Sequence, residues 1–221
     1  MSGGLADLSE AVQDYLREIY KLQLDTGRVR TSTLATRMGV AAPSATAMVK
    51  KLDSLGLAEH QPYRGVRLTR SGERLALEVL RRHRLLELYL AETLEVGLHA
   101  VHAEADRLEH ALSQELEVRI DEALGWPTRD PHGDPIPDIK LRLSHLPTRP
   151  LTQLEPGQQA TVQQIPDRDG ELLLYLGRLG LVPGQRVELI EAAPFRGPLA
   201  LRADGREIAI SSELAAEIRI A

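Results

Sequence analysis

The sequence predicts a mainly helical N-terminal two-thirds that opens with a winged helix-turn-helix, followed by a C-terminal small β-barrel. Three observations carry this. Apolar residues recur with helical spacing through most of residues 8–124. Within the first 69 residues the order is helix, helix, turn, helix, hairpin. After a proline-rich stretch the period shortens to that of strands, with glycine-containing turns between them. The core is aliphatic, because 38 of the 221 residues are leucine and 7 are aromatic.

Asp7 and Glu10 have capping-box spacing before a helix over residues 8–24, whose apolar stripe is Val12, Tyr15, Leu16, Ile19 and Leu22. Asp25-Thr-Gly27 ends it. A short helix over residues 31–38 stops at Gly39. Pro43 suits the first turn of the next helix, which runs to about residue 55 and stops at Gly56. Residues 57–61, the turn Tyr63-Arg64-Gly65 and residues 66–69 read as the wing. This completes a first domain, 1–72. Residues 71–94 and 99–124 read as two leucine-rich helical runs of a second domain, 73–140, and leucines in 85–124 are candidates for a two-fold dimer interface. Six of the 13 prolines lie between Trp126 and Pro150, a stretch that reads as extended, with 141–152 as the linker proper. In the last domain, 153–221, strands near 161–165, 186–190, 199–202 and 206–210 accompany a helix over 171–181. Asp204-Gly205 is a hairpin turn.

Composition narrows the function. There is no cysteine, which excludes disulfides, thiolate zinc sites, iron–sulfur clusters and a cysteine nucleophile. The net charge of −5 is unevenly spread. Residues 1–75 carry 11 Lys/Arg against 8 Asp/Glu, and residues 76–221 carry 16 against 24. A mildly basic front on an acidic body suits a module whose front meets an anion. No apolar run reaches the ~18 residues that cross a bilayer, and the N-terminus lacks the basic and apolar regions of a signal peptide. The chain is expected to be soluble and cytoplasmic, with no membrane partner.

The helix around Pro43 is a candidate recognition helix, since such helices place their N-terminal residues at base edges. Ser44 and Thr46 can bond bases or phosphates, with Pro43 at the helix start and Thr31 and Ser32 at the start of the preceding helix. Lys50, Lys51, Arg64 and Arg67 can hold the phosphate backbone. The bland alternative is a winged helix used for protein contacts. Further on, His102, Asp106, Glu109 and His110 have i, i+4, i+7, i+8 spacing on one predicted helix face, and His83 and Glu87 are one turn apart on the preceding helix. Two such stripes offer imidazole and carboxylate donors to a divalent metal. The competing reading is two solvated helix faces. His99, His132 and His145 fall outside the pattern and read as surface residues.

Asp14-Tyr-Leu-Arg-Glu-Ile-Tyr20, the winged helix, Arg82-His83-Arg84-Leu85 and Val101-His102-Ala-Glu-Ala-Asp106-Arg-Leu-Glu109-His110 resemble the diphtheria-toxin-repressor family of iron- or manganese-dependent transcriptional repressors. His132-Gly-Asp-Pro-Ile-Pro137 resembles the family's turn before its linker. Residues 153–221, with Tyr175-Leu-Gly-Arg-Leu-Gly-Leu-Val-Pro-Gly184, resemble its SH3-like domain. The resemblance implies a primary metal site at Asp14, Asp106, Glu109 and His110, and an ancillary site at His83, Glu87 and His102. Asp169 or Glu171 lies nearest the position from which the SH3-like domain completes the ancillary site in some relatives. Iron sensors of the family carry methionine and cysteine where this chain has Asp14 and Asp106, and manganese sensors carry acidic residues there. Some of the latter add a bridging glutamate where this chain has Arg17.

The expectation is a Mn(II)-dependent repressor, with Fe(II) as the alternative metal. It would bind a palindromic operator in double-stranded DNA of metal-transport genes, as a homodimer, with no small organic substrate. A metal-independent winged-helix regulator is a further alternative. An enzyme is not expected: there is no His-Glu-x-x-His, nucleophile elbow or phosphate-binding glycine loop.

Overall fold

A computed structural model describes residues 4–144 and 146–221. Eight α-helices are found there: α1 (Glu10–Thr26), α2 (Thr31–Arg37), α3 (Ala42–Ser54), α4 (Arg70–Leu94), α5 (Leu98–Leu108), α6 (Gln114–Ala123), α7 (Gly170–Arg178) and α8 (Ser212–Glu217). The strands are β1 (Ala58–Gln61), β2 (Gly65–Leu68), β3 (Arg149–Pro150), β4 (Gln159–Gln164), β5 (Arg186–Ala192), β6 (Leu199–Ala203), β7 (Arg206–Ile210) and β8 (Arg219–Ile220). The chain forms two compact units. One holds residues up to His83 with Glu109–Leu112 and Pro137–Arg142, and the other holds Arg84–Leu108, Ser113–Ile136 and Leu143–Ala221.

The first unit is the winged helix. α1 buries Val12, Leu16 and Ile19 against Leu34, Val49, Leu52, Val66 and Leu68. Truncating one of these fully buried leucines to alanine would cost about 2–5 kcal/mol. The helix ends at Gly27 with φ +70. Asp7 does not cap α1: its carboxylate accepts from the Gly4 amide, and the N-cap is Ser9, whose side chain makes no capping bond. In the wing, Ala58 pairs with Leu68 and Gln61 with Gly65. Val29 and Val66 exchange backbone hydrogen bonds at 2.8 and 2.9 Å, fastening the wing to the α1–α2 connection. That approach requires glycine at 65, where φ is +99 and a Cβ would stand 2.3 Å from the Val29 carbonyl oxygen.

The second unit contains a six-stranded antiparallel sheet in the order β3-β8-β4-β5-β6-β7. Its core includes Leu151, Val162, Leu176, Leu189, Leu201 and Ile220. Asp204 (φ +47) and Gly205 (φ +71) turn the β6–β7 hairpin as expected.

Two expectations on the connecting regions are corrected. The helical run over 99–124 is broken: α5 ends at Leu108, a 3-10 turn covers Glu109–Ala111, and α6 restarts behind Ser113, whose hydroxyl accepts from Leu116 N at 3.2 Å. The run from Trp126 is not all extended. Ile136 N bonds Thr128 O at 2.9 Å, and Asp130 Oδ1 accepts from the amides of His132 and Asp134, so the prolines frame a folded turn.

Candidate metal centres and nucleic-acid interface

In the first unit, Asp14, Glu109 and His110 each bring a donor atom to within 4.8 Å of the others. Asp14 comes from the middle of α1, and Glu109 and His110 from the 3-10 turn. His110 Nε2 lies 3.1 Å from Asp14 Oδ1 and 3.6 Å from Glu109 Oε1. The other ring nitrogen, Nδ1, lies 3.2 Å from Gln13 Oε1. The Gln13 amide nitrogen is committed to the carbonyls of Leu5 and Leu8, at 3.1 and 3.0 Å, which forces its oxygen toward the ring. Nδ1 therefore carries a proton, and Nε2 is the nitrogen that can offer a lone pair beside two carboxylates. This is the arrangement of a metal-ligating histidine with an oriented far nitrogen. One imidazole and two carboxylates fit a first-row divalent ion with oxygen preference.

Glu109 is 1% exposed and does not stand alone. Arg17 Nη1 donates to its two oxygens at 2.7 and 2.8 Å, and His83 Nδ1 stands 2.6 Å from Oε2. Arg17 Nη1 also lies 2.9 Å from His83 Nδ1, so guanidinium, imidazole and carboxylate form one buried cluster. One sequence expectation changes here. Glu109 and His110 do not share a helix face with Asp106, because they lie on the 3-10 turn and not on α5.

In the second unit, His102 Nδ1 lies 2.9 Å from Glu87 Oε1, and His102 Nε2 lies 3.7 Å from Asp106 Oδ2. A buried carboxylate orients the imidazole, and its other nitrogen turns toward a half-exposed acid. Asp169 is the N-cap of α7, accepting from Glu171 N at 2.9 Å, and Glu171 is exposed on the first turn. Neither belongs to the groups of convergent donor atoms found among the described residues. His99 is exposed, as expected. His145 lies outside the described residues. His132 overturns its surface assignment: it is 0% exposed. Its turn is tied to the sheet, since His132 O accepts from Ile165 N at 2.9 Å and a Cβ on Gly133 would stand 1.9 Å from Gln163 O. The sequence signal for it was the Asp130-Pro-His132 spacing, hidden within the prolines.

On the winged helix, α3 buries Ala45, Val49 and Leu52 and leaves Pro43, Ser44 and Lys50 exposed. Thr46 is half-buried and its hydroxyl donates to Ala42 O at 2.8 Å. Ser32 is exposed and Thr31 half-buried at the start of α2. Arg64 is exposed at the wing tip beside Tyr63, a fully solvated aromatic with φ +64 that sequence reasoning passed over. No helix among the described residues is long and apolar enough to cross a membrane.

Three family models match the chain. They are the iron-dependent repressor N-terminal DNA-binding domain over residues 7–66, the iron-dependent repressor metal-binding and dimerisation domain over 69–138, and the FeoA domain over 149–221. The diphtheria toxin repressor of Corynebacterium efficiens is 30% identical over 226 residues, spanning 98% of this chain and 97% of its own. The iron-dependent repressor IdeR of Mycobacterium tuberculosis is 29% identical over 226 residues, spanning 97% and 98%. Among solved structures, a manganese-dependent transcriptional repressor in complex with manganese matches with a TM-score of 0.87 at 38% identity, over 95% of this chain and 99% of that one. The manganese regulator SloR matches with a TM-score of 0.78 at 30% identity, over 95% and 97%.

Proposed function

The chain belongs to the diphtheria-toxin-repressor family of metal-dependent transcriptional repressors, and from that premise we propose that it is a manganese-dependent repressor of metal-transport genes. Members of the family are repressors and not enzymes, with DNA and a second copy of the chain as partners. The finer reading is that Mn(II), rather than Fe(II), is the activating ion, that the operator is palindromic, and that the protein acts in the cytoplasm. The observation that carries it is the convergence of Asp14, Glu109 and His110. A set of one imidazole and hard carboxylates, with no soft sulfur donor, favours Mn(II) more than a set containing thioether or thiolate would.

The residues divide the work. An ion held there supplies a cross-link between α1 and the chain that runs from α5 to α6. Asp14 reports from the unit that carries the recognition helix. Gln13 holds the His110 ring, and Arg17 and His83 hold Glu109. Ser44, Thr46 and Pro43 of α3, with Thr31 and Ser32 of α2, face bases and nearby phosphates, while Lys50 and Arg64 meet the backbone. By the family resemblance Asp106 is the fourth candidate ligand of the activating ion and His83, Glu87 and His102 are the ancillary candidates, with Asp169 and Glu171 the weaker ones because α7 already uses Asp169 as its cap. Leu94, Leu108, Leu116 and Trp126, 45–58% exposed, are available to a partner copy.

Fe(II) is the second reading, favoured by the similarity to the iron-dependent repressor IdeR at 29% identity. The deciding experiment titrates apoprotein with Mn(II), Fe(II) under anoxia, or Zn(II) against the promoter of a neighbouring metal-transporter gene at fixed salt. Mn(II) should switch on specific binding and Asp14→Ala should abolish it. Operator binding that needs no metal, or survives Asp14→Ala, overturns the proposal.

A further inference from the structure

We propose that a cleft on the first unit binds a small organic anion with an apolar body, of the class of a medium-chain carboxylate. Its floor is the start of α4, where Arg70, Glu73, Arg74 and Leu77 have i, i+3, i+4, i+7 spacing and share one helix face. Its lip is the turn that carries Ile139, Lys140 and Leu141. The cleft encloses about 450 Å³, within the roughly 300–1,000 Å³ of small-ligand sites. Floor and lip both belong to the first unit.

The lip is firmly framed. Arg81 Nη1, from α4, donates to Pro137 O at 2.7 Å. Asp138 Oδ1 accepts from the amides of Lys140 and Arg142 at 2.8 and 2.9 Å, and Arg142 Nε donates to Asp138 Oδ2 at 2.8 Å. Leu141 holds φ +59, a backbone conformation that a bulky L residue adopts at a cost. This frame leaves Ile139 70% exposed on the turn. An isoleucine held so far into water, beside half-buried Leu77 and Leu141, offers a ligand a hydrocarbon wall.

Charge selects an anion. Arg70, Arg74 and Lys140 line the cleft against one acid, Glu73. Glu73 is engaged by α1: Gln23 Nε2 donates to its Oε1 at 2.9 Å, and Gln23 Oε1 accepts from Leu68 N at 3.0 Å. Arg74 pairs with Glu78 at 3.3 Å on the surface, a contact worth little in water. Arg70 and Lys140 are exposed, and their side chains make no hydrogen bond or ion pair with the described residues. A guanidinium offers a carboxylate two parallel donors, whereas inorganic phosphate would leave the hydrocarbon wall unused. A duplex is the poorer occupant on position as well. Thr69, just before α4, donates its hydroxyl to Gly56 O at 2.8 Å, so the start of α4 sits beside the C-terminal end of α3, and Pro43 and Ser44 stand at the other end.

This inference does not rest on the regulatory reading, since the test contains neither metal nor operator. Full-length, metal-free protein labelled at its isoleucine and leucine methyls is titrated with octanoate, octanol or inorganic phosphate and followed by NMR. Octanoate should move the Leu77, Ile139 and Leu141 methyls saturably, with a dissociation constant of about 1 mM, and show NOEs from its chain to Ile139. Octanol and phosphate should each bind about tenfold more weakly or less. Arg70→Ser combined with Lys140→Ser, and separately Ile139→Ser, change exposed side chains and should each weaken octanoate about tenfold, with the remaining methyl spectrum reporting the fold. Octanol binding as well as octanoate would reduce the cleft to apolar adhesion, and phosphate binding as well would reduce it to a cationic patch. Either result overturns the proposal. So do unchanged octanoate affinity in the variants, octanoate shifts confined to other methyls, or a short random duplex that moves these methyls where octanoate does not.

Discussion

Arg17 on α1 donates one guanidinium nitrogen to both oxygens of Glu109, at 2.7 and 2.8 Å, across 92 positions of sequence. Both side chains are nearly shut from solvent, at 7% and 1%. Removing one member of a buried ion pair strands the other, at about 3–5 kcal/mol. Arg17→Ala should therefore lower the unfolding free energy of the metal-free protein by that much, read from urea unfolding at constant m, while Arg17→Ala combined with Glu109→Gln should cost less than Arg17→Ala alone. Equal losses in the single and double variants would mean that the pair is not the source of the stability.

The Gln13 amide is the second test of the same neighbourhood. Its nitrogen bonds two backbone carbonyls and its oxygen receives the His110 ring. Gln13→Met keeps the bulk and removes the orientation. Loss of an outer hydrogen bond of this kind typically weakens metal binding about 10–100-fold. Calorimetric titration with Mn(II) should show that weakening. Binding unchanged within twofold would mean that the ring is held by packing alone.

Much of this was legible in the sequence. The stripe Val12–Leu16–Ile19 fixed the buried face of α1, and Asp204-Gly205 announced a turn with two positive φ values. The donor residues were legible as types, since Asp14, Glu109 and His110 were grouped by resemblance and do converge. Their geometry was not legible. Helical spacing ran straight through Leu108, because nothing local breaks it. The break comes from burying Glu109 beside Arg17 and His83, with the Ser113 cap as the sole local hint. His132 was hidden for a related reason. Prolines read as extended chain, yet the Asp130 side chain folds the turn back by accepting two amides. β3 and β8 are two residues each and exist only through the pairing of Arg149 with Ile220, which no local pattern encodes.

Asp138 gives a pH test that is independent of metal. Hydrogen bonds from the Arg142 side chain and backbone, and from the Lys140 amide, lower its carboxyl to about 2. A folded-state pKa below the unfolded value of about 3.9 contributes stability that is full above that value and is lost as pH falls toward 2. The group is solvent-exposed, so the effect should be small and screened by salt. An NMR titration of the Asp138 carboxyl should give a midpoint near 2 in wild type and one closer to the ordinary value in Arg142→Ala. Coincident midpoints would show that the Arg142 contact does not persist in solution.

The DNA-facing residues should divide by what they touch. Lys50 is exposed on α3, beyond the helix start, and the proposed reading sets it against phosphate. Lys50→Ala should weaken binding equally to operator and random duplex, and lower the slope of log K against log salt by about 1. Ser44 is exposed in the first turn of the same helix, where recognition helices meet base edges. Ser44→Ala should leave the salt slope alone and narrow the gap between operator and random duplex by about 1–3 kcal/mol. Thr46 is the informative intermediate. Its hydroxyl proton is committed to Ala42 O, so it can contact DNA only as an acceptor. Thr46→Val should consequently cost less discrimination than Ser44→Ala. The opposite order would mean that α3 enters the groove by its second turn, with Ser44 on the phosphates.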